Sequence, residues 1–249
     1  MNILRKIKSK ISSYIPNNIK RTIKRTINRF YHQENIIEAK EKWNKLADKN
    51  ARYFIMTDID ENIDEQKFRE TGEKDYKDLI LNDLLIKNQL VDFNKKSVLE
   101  IGCGIGRITE FISQDFKSVS GIDISSKMIE TAKARLKNKN NINFYETDGQ
   151  NYPFENELFD FVFSFIVFQH MPDKKIIEKN LREIKRVLRI NGIAKIQFRG
   201  LPTSKKNWFY GPDFTKNEIS KMAEKIGLSI IKYSGEGERY FWVWFKKEN

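Results

Sequence analysis

The sequence predicts an α/β fold: a doubly wound sheet of seven strands ending in an antiparallel hairpin, behind a helical cap and a basic amphipathic N-terminal arm. Three observations carry that prediction. Residues 97–101 read as a short strand running into Gly102-Cys103-Gly104-Ile105-Gly106, with helical spacing from Ile105. Glycine has no Cβ and tolerates backbone angles that other residues avoid, so strand, loop and helix together form a pocket at the carboxyl end of a parallel strand. Beyond the loop, strand and helix patterns alternate, as parallel βα units require. Finally, residues 159–165 form a largely apolar run, the pattern of a strand buried on both faces.

Taken in order, the chain begins with an arm, residues 1–33. Residues 1–30 hold nine Lys/Arg and no acid, so most of the net charge of +12 sits there. On a helix, Ile3, Leu4, Ile7, Ile11, Tyr14 and Ile15 share an arc of about 120°. Pro16 breaks that helix, Asn18 can cap a second, and Ile19, Ile23, Ile27 and Phe30 repeat the pattern. Such an arm can lie on an anionic membrane, or dock on the domain or a second subunit. Nucleic acid fits less well, because the aromatics are sparse.

Residues 34–94 read as a polar helical cap, with helices over 34–50 and 75–90. Trp43, Tyr53, Phe54 and Phe68 either cover the mouth of the pocket or anchor the cap to the core. The main domain, 95–249, then runs from the glycine loop through a helix over 105–115 to a strand over 117–123 that ends at Asp123. An acid there can accept hydrogen bonds from both hydroxyls of a ribose, or simply turn the chain. Ser125 caps the next helix, with Met128 and Ile129 on its inner side. A third strand, 141–146, leads to Asp148-Gly149, which either faces the edge of a base or is a turn pair. The fourth strand leads to His170, followed by a helix over 173–189, an Asn191-Gly192 stop and a fifth strand over 193–198. A helix over 213–226 and a hairpin around Gly235-Glu236-Gly237 close the chain.

Composition bounds the setting. A chain of 249 residues with 39% hydrophobic content buries one large core. No apolar run approaches the roughly 18–20 residues of a membrane span, and no apolar stretch near the N-terminus resembles a secretory signal. The single cysteine, Cys103, permits no internal disulfide, so a cytoplasmic location is expected. No Cys or His pair has zinc spacing, so no metal is expected.

A dinucleotide loop would place its third glycine where Arg107 stands, and the carboxylate of Glu100 suits a pyrophosphate poorly. VLEIGCGIGR, GIDIS, the strand into ETDG, FDFVFSFIVFQHM and LREIKRVLRINGIAKIQF together resemble the bacterial small-molecule class I S-adenosylmethionine-dependent methyltransferases over about residues 97–198. Ile190-Asn191-Gly192 departs from that family's Pro-Gly-Gly turn. WNKLADKNARYFIMTD, with Phe68-Arg69-Glu70-Thr71-Gly72, also resembles a subgroup of unspecified substrate.

The resemblance implies a Rossmann-like sheet and S-adenosyl-L-methionine as cofactor. Glu100, Gly102, Cys103, Gly104 and Gly106 would line its methionine end. Asp123 and Ile124 would hold the ribose and flank the adenine, with Met128 behind them. Asp148 and Gly149 would face the adenine edge, and Ser164 and Phe165 would lie near the amino group and the methyl.

His170, with imidazole's ordinary pKa near ~6.5, is the candidate base for an oxygen acceptor, or a loop residue bonded for structure. Asp173 and Glu110 are weaker candidates. The fourth strand lacks an Asn/Asp-Pro-Pro-Tyr ending, and no spare thiol exists to attack a pyrimidine. A small-molecule, sugar or lipid-linked glycan acceptor remains, a hydroxyl first, with a carboxylate or amine also open. Trp208, Phe209 and Tyr210 either stack on it or pack. Peripheral contact with the inner membrane face through residues 1–30 is expected to accompany such an acceptor. RNA methylation, or cofactor binding without catalysis, are the alternatives.

Overall fold

The computed structural model describes residues 17–56, 62–201 and 211–249, with side chains from Ile36 onward. The apolar stripe of the arm, the Pro16 break and Trp208, Phe209 and Tyr210 lie outside the described residues and side chains. The chain divides into two compact units, Met1–Glu38 and Ala39–Asn249. In the first, residues 17–38 are helical, part of α1 (Asn17–Phe54).

Within α1, Asn50 leaves the helical region (φ −168°, ψ 87°), and its Oδ1 accepts from Tyr53 N–H at 3.2 Å, restarting the last turn as a cap would. Next come α2 (Glu65–Tyr76), which runs on into a π turn over Lys77–Leu81, and α3 (Leu84–Gln89). The alternating part follows as β1 (Ser97–Ile101), α4 (Thr109–Asp115), β2 (Ser118–Asp123), α5 (Ser126–Arg135) and β3 (Ile142–Glu146). Then come β4 (Phe159–Ser164), α6 (Lys174–Val187) and β5 (Leu188–Phe198). Finally α7 (Lys216–Ile226) leads to β6 (Ser229–Ser234) and β7 (Phe241–Lys246).

The seven strands form one sheet in the order β3-β2-β1-β4-β5-β7-β6. β1 to β5 pair in parallel, while β7 enters antiparallel between β5 and β6, with Ile196 opposite Val243. The order reverses at β1, so the crevice above the β1 and β4 ends is where such a sheet takes a ligand. On one face, Ile177, Leu181 and Ile184 of α6 and Ile219 of α7 cover Leu99, Val162 and Ala194. On the other, Tyr76, Ile86 and Phe111 of α2–α4 cover Val98, Phe161 and Phe163. The sheet is therefore doubly wound.

Two local expectations fail for backbone reasons. The helix expected from Ile105 starts at Thr109, because Gly104 and Gly106 have φ of +54° and +79°, outside the right-handed helix. Asn191-Gly192 is a bulge inside β5 and does not end α6. The partners jump from Phe159–Leu188 to Phe161–Ile193, and Asn191 takes φ +65°. A Cβ on Gly192 would lie 2.8 Å from Arg189 O.

A buried ion pair fixes the cap to the sheet. Lys195 of β5, only 4% exposed, donates to Asp83 at 2.8 Å and to Leu79 O at 2.6 Å. Asp83 also accepts from Trp244 Nε1 at 3.0 Å and caps α3 through Leu85 N–H.

Candidate functional site

The loop after β1 is held by β2. Ile122 O accepts from Gly102 N–H at 2.7 Å and from Cys103 N–H at 3.0 Å, and Asp123 Oδ2 accepts from Gly104 N–H at 3.0 Å. Asp123 Oδ1 accepts from Ser125 N–H at 2.9 Å, while Ser125 Oγ caps Met128 N–H at 3.2 Å. Burial pushes the Asp123 carboxyl above its usual range, against the pull of those N–H groups. The expected second-strand acid thus stands beside the glycine loop, partly exposed.

Glu100 lies beneath the loop, 5% exposed, and accepts from the Thr109 hydroxyl at the head of α4. Burial pushes its carboxyl up to about 7, against the Thr109 bond and the nearby Arg107 guanidinium. A carboxylate at the head of α4 leaves that terminus unsuited to a phosphate. Two acids at the ends of adjacent strands, one beneath the loop and one at its rim, match an ammonium and a diol instead. That pair of acceptors fits S-adenosylmethionine. Burial also raises the Cys103 thiol well above its ordinary value, so it is no nucleophile.

The remaining expected positions separate. Thr147 N–H donates to Asp123 O at 3.0 Å, bringing the loop after β3 to the same end of the sheet. Asp148 itself is exposed, and its Oδ1 accepts from Gln150 N–H at 2.8 Å and Asn151 N–H at 2.7 Å, which makes a turn. Burial alone would raise its carboxyl, but these donors and the Asn151 side chain hold it below the usual range. Gly149 O accepts from Asn180 of α6 at 2.9 Å. Ile124 is half-buried, and Met128 is buried with Phe68 and Ile105 beneath the cap. Ser164 is fully buried and donates to Ile101 O at 3.0 Å, tying β4 to β1. Phe165 stacks on Trp242 with ring centroids 5.3 Å apart.

The group packed against Gly102 carries no sequence signal. Val167 lies against Gly102: a Cβ there would sit 2.1 Å from Val167 Cγ2, and Gly102 has φ +70°. His170 is 8% exposed, with its ring edge-on to Trp43 (centroids 5.8 Å apart) and its Nε2 3.1 Å from Gln169 Nε2. Of the other proposed bases, Asp173 caps α6, and Glu110 is held by Arg69 at 2.7 Å and Arg135 at 2.6 Å.

Arg135 joins cap, loop and α4. It donates to Glu65 at 2.8 Å, to Ile105 O at 3.0 Å and to Gly106 O at 3.3 Å, besides Glu110. Replacing it with Met leaves the buried Glu110 with a single guanidinium partner. Breaking a buried pair costs about 3 kcal/mol or more, and the loop carbonyls lose their donor as well. Urea unfolding of Arg135→Met should show that loss, together with a KM for cofactor that rises more than kcat falls.

Among the described residues, no group of three or more His, Cys, Asp or Glu could hold a metal ion, and no helix is long and apolar enough to cross a membrane.

The sheet order, the antiparallel final pair and the acid-flanked glycine loop define a class I, Rossmann-like methyltransferase fold. Residues 98–192 match the family model described as a methyltransferase domain, and the fold around them is that of class I, S-adenosylmethionine-dependent methyltransferases. The chain is 24% identical over 209 residues to a ubiquinone biosynthesis O-methyltransferase of Coxiella burnetii, covering 72% of this chain and 88% of that one. It is 34% identical over 156 residues to phosphoethanolamine N-methyltransferase 2 of Caenorhabditis elegans, covering 58% of this chain and 35% of that one. The chain therefore spans about a third of the length of that relative. Among solved structures, magnesium protoporphyrin IX methyltransferase from Synechocystis with bound SAM superposes with a TM-score of 0.63 at 16% identity, covering 86% of this chain and 97% of that one.

Proposed function

We propose that this chain transfers the methyl group of S-adenosyl-L-methionine to an oxygen of a small-molecule, sugar or lipid-linked glycan acceptor, a hydroxyl first. The observation that carries the reading is the pair Glu100 and Asp123 set around the Gly102–Gly106 loop. The alignment over 72% of the chain with a ubiquinone biosynthesis O-methyltransferase supports an oxygen acceptor. Residues 1–33 serve as the arm, 34–94 as the cap and 95–249 as the catalytic domain. The basic arm holds the protein at the inner, cytoplasmic face of an anionic membrane, which suits a lipid-linked acceptor.

When bound, the cofactor supplies an electrophilic methyl group on a sulfonium, open to in-line attack. Glu100 faces its amino group, with Gly102, Cys103, Gly104 and Gly106 giving close backbone approach. Asp123 takes the ribose hydroxyls, Ile124 and Met128 border the adenine, and Asp148 with Gly149 closes the adenine edge. Ser164 and Phe165 set the end of β4, and the cap excludes water from the loop. Positioning of this kind supplies much of the acceleration of a displacement. His170 stands on the acceptor side. A base role for it needs a ring nitrogen with an open lone pair.

The test supplies methyl-labelled cofactor to purified protein with host extract, then separates lipid, polysaccharide, RNA, protein and small-molecule fractions. Label in glycan, lipid or small molecule supports the reading, while label in RNA assigns the arm to nucleic acid. Tight cofactor binding with no label in any fraction favours a protein that binds without catalysing. Asp123→Ala should abolish the label and weaken cofactor binding at least about 100-fold, since hydrogen bonds to a charged group contribute about 1.5–3 kcal/mol each.

A further inference from the structure

A chain of buried amides runs from the sheet to His170. Gln197 of β5 is fully buried. Its Oε1 accepts from Ile166 N–H at 2.9 Å, and its Nε2 donates to Phe198 O and, at 3.4 Å, to Arg239 O. Those backbone partners fix which end of the amide is oxygen, because an N–H can only donate and a carbonyl can only accept. The same Nε2 donates to Gln169 Oε1 at 3.2 Å. Gln169 therefore presents its Nε2, a donor, to His170 Nε2 at 3.1 Å. The ring nitrogen there must accept, so in the neutral ring the hydrogen is on Nδ1.

We infer that Gln197 and Gln169 hold His170 as the Nδ1–H tautomer, so that both are positioning residues and the His170 ring does not take the acceptor's proton. A hydrogen on Nε2 would face the Gln169 amide N–H. Turning Gln169 to relieve that would bring two amide donors together at Gln197, and Gln197 cannot turn without opposing Ile166 N–H and the Phe198 carbonyl. The backbone therefore sets the ring's chemistry three links away. Ile166 is part of the device. A β-branched residue at φ +58° is uncommon, and its N–H is aimed at Gln197 by that conformation. What the ring does for the acceptor rests on the function proposed above, whereas its tautomer does not.

The tautomer is read directly by long-range proton–nitrogen correlation NMR on labelled full-length protein, without acceptor. The chain has two histidines, His32 and His170, so His32→Gln assigns the signals. The expected spectrum shows His170 with Nδ1 protonated and Nε2 bare. Gln169→Glu keeps an oxygen toward Gln197 and offers a second oxygen to the ring, so it should move the hydrogen to Nε2. An Nε2–H ring in the wild type, or a spectrum unmoved by Gln169→Glu, overturns the inference. Methyl transfer provides the second arm. His170→Gln keeps an acceptor for the Gln169 amide but cannot take a proton. Its kcat should fall less than about tenfold, whereas loss of a general base costs about 10²–10⁴-fold. A loss in that larger range overturns the assignment of the ring as no base, even with the expected tautomer.

Discussion

Gly102→Ala is expected to lower cofactor affinity by more than about 100-fold, because strain and collision act together at the centre of the loop. A non-glycine residue in the left-handed region costs about 1–2 kcal/mol, and Gly102 sits at φ +70°. The added carbon would then lie 2.1 Å from Val167 Cγ2 and 2.9 Å from its Cγ1, both far inside van der Waals contact. Val167 has little room to yield. It is β-branched, follows the left-handed Ile166, and begins the turn that carries Gln169 and His170. The loop must move, yet its next two N–H groups are already held by Ile122 O and Asp123. Titration calorimetry with S-adenosylmethionine measures the loss. Gly102→Ala with Val167→Ala removes the two closest contacts and leaves the Cβ of position 167 at 3.0 Å together with the backbone strain, so it should recover part of the affinity. If the double variant binds no better than the single one, Val167 is not the obstacle.

The contrast between Gly102 and Val167 shows what the sequence could convey. The glycines, Glu100 and Asp123 were legible because they are local: a strand end, a fixed spacing and residue types with few other uses there. The parallel sheet was legible for the same reason, from period and punctuation. Val167, Arg135 and the two glutamines act across the fold. Arg135 meets Glu65 and Glu110 from positions 70 and 25 residues away, and no spacing rule links them. Gln197 sits in a strand whose pattern predicts only burial, and its value arises because β4 and β5 are neighbours. The start of α4 and the Asn191 bulge were misread for a third reason. Glycine and asparagine allow a positive φ without stating whether it ends a helix, bends a strand or opens a loop.

Glu100→Gln should make the protein more stable at pH 8 and a worse binder of its cofactor. The Glu100 carboxyl is pushed up to about 7 by burial, from an ordinary value of 4.5. Between those two values the folded protein holds a proton that the unfolded chain has released, so stability falls as pH rises through that window and is lowest above it. The shift corresponds to about 3 kcal/mol at pH 8, by the relation of pKa to free energy. Glutamine keeps an oxygen for the Thr109 hydroxyl and carries no charge, so it removes that cost. Its amide hydrogens need partners, which returns about 1–3 kcal/mol if they find none. A net gain of about 1–2 kcal/mol is expected, a rise of about 2–8 °C in Tm for a chain of this size. The gain should shrink as the pH is lowered and turn into a small loss near pH 4, where the wild-type carboxyl is largely protonated in both states and only the cost of the unpaired amide remains. Cofactor reverses the ranking, because a bound ammonium favours the charged carboxylate that only the wild type can supply. Thermal melts at pH 4 and pH 8, with and without S-adenosylmethionine, test both halves at once. A variant no more stable at pH 8 than at pH 4 relative to the wild type would show that Glu100 carries no such burden, and equal stabilisation by cofactor would remove it from the binding site.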